Sequence, residues 1–349
     1  MKFPKRIADL PSDIWQKICK IDELKKQWSI GVHLDQQILK RLKKSVIITS
    51  TGASTRIEGA RLSDEDVERL MRGIVMQKFQ DRDKQEVQGY YELITNVFDS
   101  YSTMPFSEST IKFFHRELLK HVEKDALHRG EYKKKENKVA MVDASGKTTG
   151  IIFDTTPAYL TPKAMQELVE WTQEFMVDKQ YHPLLVIGNF IVEFLMIHPF
   201  EDGNGRLSRI LANLLLLQHG YLYMPYVSQE KLIGDRKPEY YMALRQSQKT
   251  FGTKQEDIKP WLEFFLSVIL EQSKQAIALI SEEQIDKLLS KQQQTIWRYL
   301  EKVTEATPLE ISQATEIPRP TVSQALSKLL KLKKVERIGL GRSTRYRKL

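Results

Sequence analysis

The most apolar stretch of this chain, Leu184 to Phe200, runs into a proline and is followed at once by two glycines. Asn189, Glu193 and His198 interrupt it, so it reads as a buried helix rather than a membrane span. The helical pattern ends at Ile197. Pro199 cannot extend a helix, and Gly203 and Gly205 permit backbone conformations closed to other residues. A new apolar pattern begins at Leu207 and runs to Leu217. The loop therefore delivers backbone N–H groups to a helix N-terminus, where unpaired amides and the helix dipole both favour an anion such as phosphate.

The side chains of the loop agree. Arg206 and Arg209 stand three apart in the first turns of the new helix, where cations oppose the dipole. They make sense if an anion comes between them, because guanidinium groups grip phosphate with paired hydrogen bonds. Asp202 adds a hard oxygen ligand of the kind Mg²⁺ takes. His198 titrates near neutral pH and is placed to take a proton from an attacking hydroxyl. Phe200 reads as a core anchor for the loop. The bland alternative is a Gly-rich connection between two helices.

The rest of the body reads as helix. Apolar residues recur at helical spacing in Ile14–Trp28, in Ile38–Leu42 and in Val67–Met71, the last opened by a capping-box pair, Ser63 and Asp66. Further helical patterns run over 90–98, 109–122, 162–175, 238–248 and 259–289. Residues 139–153 alternate around a turn-forming Asp143-Ala144-Ser145-Gly146 and predict a short β-hairpin. Gly146-Lys147-Thr148 is not the end of a P-loop, because Met141 stands where its first glycine belongs. His115, His121 and His128 lack metal-site spacing and read as surface or satisfied core histidines. Cys19 is the sole cysteine, which excludes an intrachain disulfide framework and fits a reducing, cytoplasmic setting. No signal peptide is expected at the N-terminus.

The formal net charge of +9 is uneven: residues 284–349 hold 14 Lys+Arg and 6 Asp+Glu, leaving a nearly neutral body. That tail reads as a helix-turn-helix with a basic hairpin. One helix spans 294–303, Thr307-Pro308 opens a second, and Ile317-Pro318-Arg319-Pro320 makes a turn. Thr321 starts a third helix, with Arg319, Thr321, Ser323, Gln324 and Ser327 on its polar side. Residues 335–347 make the wing. Phosphate-dominated DNA binding is one reading; docking or dimerisation is the other.

The segment His198-Pro199-Phe200-Glu201-Asp202-Gly203-Asn204-Gly205-Arg206-Leu207-Ser208-Arg209 resembles the Fic (Fido) family motif at each of its fixed positions. Gly130-x-Tyr132 with the hairpin after it looks like the family's flap, and 240–244 and 260–266 look like the helices that follow the motif. The resemblance covers about 45–270. It implies a Fic core over 106–275 with its β-hairpin flap; together with the patterns outside it, the expected fold is mainly α, with residues 1–105 as an N-terminal helical region, 276–289 as a linker helix, and 290–349 as a winged helix-turn-helix. It implies transfer of AMP from ATP to a Ser, Thr or Tyr hydroxyl of a protein. His198 would be the general base and Asp202 the Mg²⁺ ligand. Gly203, Asn204, Gly205 and Arg206 would line the phosphate cradle, and Arg209 would hold the γ-phosphate. Tyr240 and Tyr241 would border the adenine or, equally, pack in a helix core.

Ser54-Thr-Arg-Ile-Glu58-Gly resembles the family's inhibitory motif. If helical, Ser54 and Glu58 share a face of a helix near 47–59. The resemblance implies that Glu58 pairs with Arg209 and holds ATP in an unproductive pose; in some relatives the same glutamate helps water remove AMP. Expected partners are a target protein, which includes this chain itself, and DNA at the C-terminal module. A homodimer is left open, and no membrane is expected. Two rivals stand beside this reading. One is a DNA-binding regulator whose Fic core only senses nucleotide; the other is the same enzyme with UTP, GTP or a CDP-linked donor.

Overall fold

A computed structural model of the chain describes residues 3–31, 36–73, 81–142, 148–178, 180–332, 334–338 and 344–348. It divides into two compact units, Met1–Ile277 and Ala278–Leu349. The first holds α1 (Lys5–Ala8), α2 (Ser12–Gly31), α3 (Gln36–Ile57), α4 (Asp64–Met71), α5 (Asp81–Ser100) and α6 (Glu108–Leu118). A hairpin, β1 (Lys138–Val142) and β2 (Thr148–Asp154), follows. Then come α7 (Thr161–Asp178), α8 (Pro183–Ile197), α9 (Asn204–Gln218), α10 (Gln229–Asp235), α11 (Lys237–Gln248) and the long α12 (Lys259–Leu288), whose residues after Ile277 belong to the second unit.

Helices α8 and α9 are the centre of this unit. Every residue from Leu184 to Leu195 and from Arg206 to Leu217 is buried, so neither helix has a solvent face. A helix buried all round must be covered on all sides, and α1, α5, α7, α11 and α3 pack against this pair. Each leucine buried here contributes about 1.5–3 kcal/mol relative to exposure. His182 caps α8, its Nδ1 accepting the Leu184 amide at 3.2 Å, and Pro183 takes the first helical position. Ser63 and Asp66 form the expected capping box of α4, each side chain accepting the other's backbone N–H at 3.2 Å. No helix among the described residues is long and apolar enough to cross a membrane.

The hairpin is antiparallel, pairing Lys138 with Asp154 and Val142 with Thr148, and irregular at Val139/Ala140 and Met141/Val142. Residues 143–146, expected to form its turn, lie outside the described residues. Two helix boundaries differ from expectation. The helix expected over 109–122 stops at Leu118, yet Leu119 and Val122 are buried in the turns that follow, which prolongs the apolar pattern past the helix end. The helix expected near 47–59 begins as early as Gln36 and closes at Ile57.

The second unit holds α13 (Lys291–Leu300), α14 (Pro308–Thr315), α15 (Arg319–Lys331), β3 (Val335–Ile338) and β4 (Arg345–Lys348). Ile296, Trp297, Leu300, Ile311, Val322, Leu326 and Leu329 form its core. Ala306 bridges Tyr346 through a reciprocal pair of backbone hydrogen bonds at 3.0 and 2.8 Å, adding a third edge to the β3–β4 ribbon. Thr307 and Glu310 cap α14. The third helix begins at Arg319 rather than Thr321, because Pro320 sits in its first turn, where a missing N–H costs nothing. Three cations of β4 are paired with glutamates: Arg347 Nε with Glu336 at 2.6 Å, Lys348 with Glu301 at 2.6 Å, and Arg345 Nε with Glu305 at 3.5 Å; Arg337 on β3 donates to Thr344 Oγ1 at 3.3 Å instead. The expected wing tip, 339–343, lies outside the described residues.

Candidate active site

The loop between α8 and α9 is set by two left-handed residues. His198 adopts φ 51°, turning the chain off α8, and Gly203 adopts φ 79° immediately before α9. Gly203 carries no side chain to resist that conformation. Asn204 then closes the loop on itself: its Oδ1 accepts the Phe200 amide at 3.0 Å and its Nδ2 donates to the Phe200 carbonyl at 2.8 Å.

The loop is held from outside by residues that the sequence did not single out for this role. His115, on α6, stacks on the buried ring of Phe200 with centroids 3.8 Å apart and planes 8° apart. Its Nδ1 accepts the Gly130 amide at 2.8 Å, so Nε2 carries the proton and donates to the Asp202 carbonyl at 3.0 Å. Burial holds His115 down to a pKa of about 4, so it is neutral at pH 7. Lys133 is buried behind the loop. Its ammonium donates to Asn137 Oδ1 and Thr155 Oγ1, both at 2.7 Å, and to the Ile197 carbonyl at 3.0 Å. Asn137 Nδ2 donates to the Phe200 carbonyl at 3.0 Å. The residues just before β1 and just after β2 are thereby pinned to the loop. Burial lowers the Lys133 pKa to about 8.

His198 itself is half-buried. Its Nδ1 faces the Leu195 carbonyl at 3.3 Å, and a carbonyl only accepts, so Nδ1 bears the proton and Nε2 is left as the acceptor. Burial, aided by the charge of Lys133, holds its pKa down to about 4. It is therefore unprotonated at neutral pH, the state a general base requires.

Both motif arginines are buried and both meet carboxylates. Arg209 donates from Nε to Ser54 Oγ at 2.8 Å, and from Nη2 to the Ser54 carbonyl at 2.9 Å and Glu58 Oε1 at 2.8 Å. Burial alone would lower its pKa, but the Glu58 carboxylate outweighs this and the net shift is upward. Arg206 meets Glu86 Oε2 at 2.8 Å and Asp202 Oδ2 at 3.2 Å. The cations that oppose the α9 dipole thus have protein anions as partners. Arg206 Nε and Arg209 Nη1 are nonetheless buried with no hydrogen-bond partner. Such orphaned donors cost about 1–3 kcal/mol each and mark where a further acceptor fits.

Glu58 follows the end of α3, in the turn closed by the Glu58 amide on the Thr55 carbonyl at 3.1 Å. Its carboxylate lies over the start of α9. A Cβ built on Gly205 would stand 2.2 Å from Glu58 Oε1. Ser54 and Glu58 therefore do converge on Arg209, and the carboxylate fills the space that only a glycine leaves open. Tyr241 donates its hydroxyl to the Ile57 carbonyl at 3.4 Å, against the end of the same helix. Tyr240 is buried among Trp261, Phe264 and Tyr241.

Asp202 is the candidate Mg²⁺ ligand. Its Oδ1 accepts the Gly203 amide at 2.6 Å. Burial would raise its pKa, but Arg206, that amide and Arg82 together hold it below the usual carboxylate range. No group of three ligating side chains that could hold a metal exists among the described residues. One ionised carboxylate beside orphaned guanidinium donors suits a Mg²⁺ that brings most of its oxygens from phosphate and water.

Below Arg209 lies a buried carboxylate that the sequence did not reveal. Glu230 Oε1 accepts from Asn213 Nδ2 at 2.7 Å and from the Tyr90 hydroxyl at 3.1 Å, and Asn213 Nδ2 also reaches the Arg209 carbonyl at 2.9 Å. Ser50 donates to Ser228 at 2.8 Å, tying α3 to the cap of α10.

A helical core with a hairpin pinned to a glycine-rich loop and two arginines at a helix start defines a class. The Fic/DOC family model matches residues 105–216, and that segment is a Fic/DOC family domain. Two curated relatives share parts of it. A probable protein adenylyltransferase of Aquifex aeolicus is 35% identical over 86 residues, 24% of this chain and 26% of that protein. The protein adenylyltransferase Fic of Drosophila erecta is 25% identical over 264 residues, 74% of this chain and 48% of that protein. The chain thus spans about a quarter and about half of their lengths. The crystal structure of a Fic family protein from Desulfovibrio desulfuricans shares the fold, with a TM-score of 0.64 and 24% identity over 98% of this chain and 97% of that one.

Proposed function

We propose that this chain is a protein adenylyltransferase that transfers AMP from ATP to a Ser, Thr or Tyr hydroxyl of a protein, and that Glu58 holds it inactive. The observation that carries the reading is His198 Nε2, available as an acceptor in the loop that leads into α9 and the orphaned donors of its Arg206 and Arg209. The names of the two curated relatives support it. In this reading the triphosphate lies along the N-terminus of α9, over Gly203, Asn204 and Gly205, with Arg206 on one side and Arg209 at the γ end. The target hydroxyl attacks the α-phosphorus while His198 Nε2 takes its proton. The bond from the α-phosphorus to the bridging oxygen breaks, and pyrophosphate leaves. Asp202 would hold Mg²⁺, which spreads the charge developing on the phosphates. Tyr241 of α11, whose hydroxyl meets the end of α3, would face the adenine side, with Tyr240 packed in the core behind it.

The inhibition follows from occupancy. Glu58 takes the Nη2 of Arg209 and the space above Gly205, so a triphosphate enters without its γ-phosphate grip and out of line for attack. In the same proposal the setting is cytoplasmic. Labelled ATP, UTP, GTP and a CDP-linked donor, each with Mg²⁺, followed by mass spectrometry of labelled peptides, test transfer and donor together. ATP is expected to label most strongly; labelling by none with Glu58 replaced would overturn the reading. Incubating the labelled product in fresh buffer reports whether the same site also removes AMP.

A second reading concerns the C-terminal unit. Arg319, Ser323, Gln324, Ser327 and Lys331 are exposed along one side of α15, the chemistry of a helix that reads a DNA groove. Because Arg345, Arg347 and Lys348 of the ribbon pair with glutamates, α15 would carry most of this contact. Fluorescence anisotropy of a labelled duplex with the full chain at two salt concentrations tests it. Binding that weakens steeply with salt and with Lys331→Glu is expected; no binding at low salt overturns it in favour of docking or dimerisation.

A further inference from the structure

Arg82 stands in the first turn of α5, where a cation opposes the helix dipole as Arg206 does in α9. Its partners explain its position. Nε donates to Glu86 Oε1 at 2.9 Å and Nη2 to Asp202 Oδ2 at 2.7 Å. Glu86 in turn meets Arg206 at 2.8 Å, and Arg206 meets Asp202 at 3.2 Å. The four side chains close a ring of alternating charge: Arg82, Glu86, Arg206, Asp202. Both oxygens of Asp202 are thereby engaged, Oδ1 by the Gly203 amide and Oδ2 by the two guanidiniums.

Arg82 and Asp202 are the half-exposed members of the ring, whereas Arg206 is fully buried. A second seat lies next to Arg82. Asp125 Oδ2 is buried with no hydrogen-bond partner and stands 3.5 Å from Arg82 Nη2, while its Oδ1 meets His128 at 3.2 Å. The same Nη2 thus already stands between Asp202 and Asp125, and a guanidinium that leaves Asp202 can close on this acceptor.

We infer that Arg82 is a positioning residue of the metal side of the site: it holds and screens the Asp202 carboxylate, and moves toward Asp125 when a divalent cation takes Asp202 Oδ2. This rests on the reading of Asp202 as the Mg²⁺ ligand of a nucleotide site. It adds a control separate from Glu58, which acts at Arg209. Metal binding then includes the cost of parting one ion pair, offset in part by the Asp125 contact.

The readout is the ratio of nucleotide affinity with Mg²⁺ to that in EDTA, measured with a fluorescent ATP analogue on the full chain carrying Glu58→Gly. Exposed ion pairs contribute about 0.2–1 kcal/mol, so Arg82→Gln should raise that ratio by about 1.5- to 5-fold while leaving the affinity in EDTA unchanged. Arg82→Lys keeps the charge and should stay near the parent. Asp125→Asn weakens the second seat and should lower the ratio. Thermal melts identify any variant that fails to fold, and the Arg82→Gln and Asp125→Asn arms stand independently. An unchanged or lowered ratio in folded Arg82→Gln overturns the inference, as does weaker binding in EDTA, which would make Arg82 a phosphate ligand instead. Absence of nucleotide binding in every variant, parent included, overturns the proposed function, and this inference with it.

Discussion

His115 offers a test of how the loop is held that does not depend on any substrate. Its ring is neutral because Nδ1 accepts the Gly130 amide, Nε2–H donates to the Asp202 carbonyl, and burial holds its pKa at about 4 against an ordinary value near 6.5. Between those values the unfolded chain binds a proton that the folded chain does not. Stability from this group is therefore complete above pH 6.5 and is lost as pH falls toward 4. At pH 5 the loss is about 2 kcal/mol relative to pH 7.5, at about 1.4 kcal/mol per pKa unit. The assay is urea unfolding at pH 7.5 and pH 5, followed by tryptophan fluorescence, for the parent chain and for His115→Gln. The variant is expected to be less stable at pH 7.5 but to lose about 2 kcal/mol less than the parent on acidification. His198 titrates in both proteins and cancels from the comparison. If the variant loses as much as the parent, His115 is not a buried neutral ring and the account of the loop's support is wrong.

Other outcomes are equally specific. His198→Ala should lower AMP transfer at least about 100-fold while leaving ATP affinity nearly unchanged, since a base acts in the transition state and the cradle binds in the ground state; equal activity in a labelled-ATP assay removes His198 from the chemistry. Transfer by a Glu58→Gly chain should fall on acidification below neutrality, because His198 must be unprotonated, and bound triphosphate should bring that fall to a higher pH than the nucleotide-free value of about 4. Gly203→Ala forces an alanine to φ 79°, with its Cβ 3.3 Å from Leu118, and should cost about 1–2 kcal/mol or more in a denaturant titration. Glu86→Gln should weaken nucleotide binding in EDTA, because Arg206 loses the carboxylate that aims it; unchanged affinity would make Glu86 a bystander.

The central helices and their loop were legible because their signal is contiguous. An apolar helix, a proline, two glycines and two arginines fall within 26 residues, and each has a local physical meaning. The convergence of Ser54 and Glu58 on Arg209 was legible only through the resemblance, since helical spacing says which residues share a face and not what that face meets. Arg82, Glu86, His115 and Glu230 were not legible in these roles. Arg82, Glu86 and His115 reach the loop and Arg206 from α5 and α6, and Glu230 on α10 reaches Asn213, one turn after Arg209; nothing in their local sequence separates them from ordinary surface or core residues. The i,i+4 spacing of Arg82 and Glu86 was the one available hint. What escaped was that Ile38–Leu42 and the helix near 47–59 belong to one continuous α3, because the buried face that joins them carries Ser50, Thr51, Ser54 and Thr55, which an apolar periodicity does not count.

The central claim is that one carboxylate keeps a competent transferase off. Self-labelling by ATP and Mg²⁺, compared among the parent chain, Glu58→Gly and Arg209→Ala, tests it most directly. Both variants break the same 2.8 Å contact, so a purely structural ion pair would make them behave alike. The account predicts opposite results. Glu58→Gly frees Arg209 for the γ-phosphate and labelling rises; Arg209→Ala deletes the cation that orients the triphosphate and labelling stays low. Removing one partner of a buried pair costs up to about 3–5 kcal/mol, and less here because Glu58 is a third exposed. Bound ATP should restore part of that loss in a thermal melt of Glu58→Gly and not of Arg209→Ala. A folded, ATP-bound Glu58→Gly chain that labels no faster than the parent would contradict the claim.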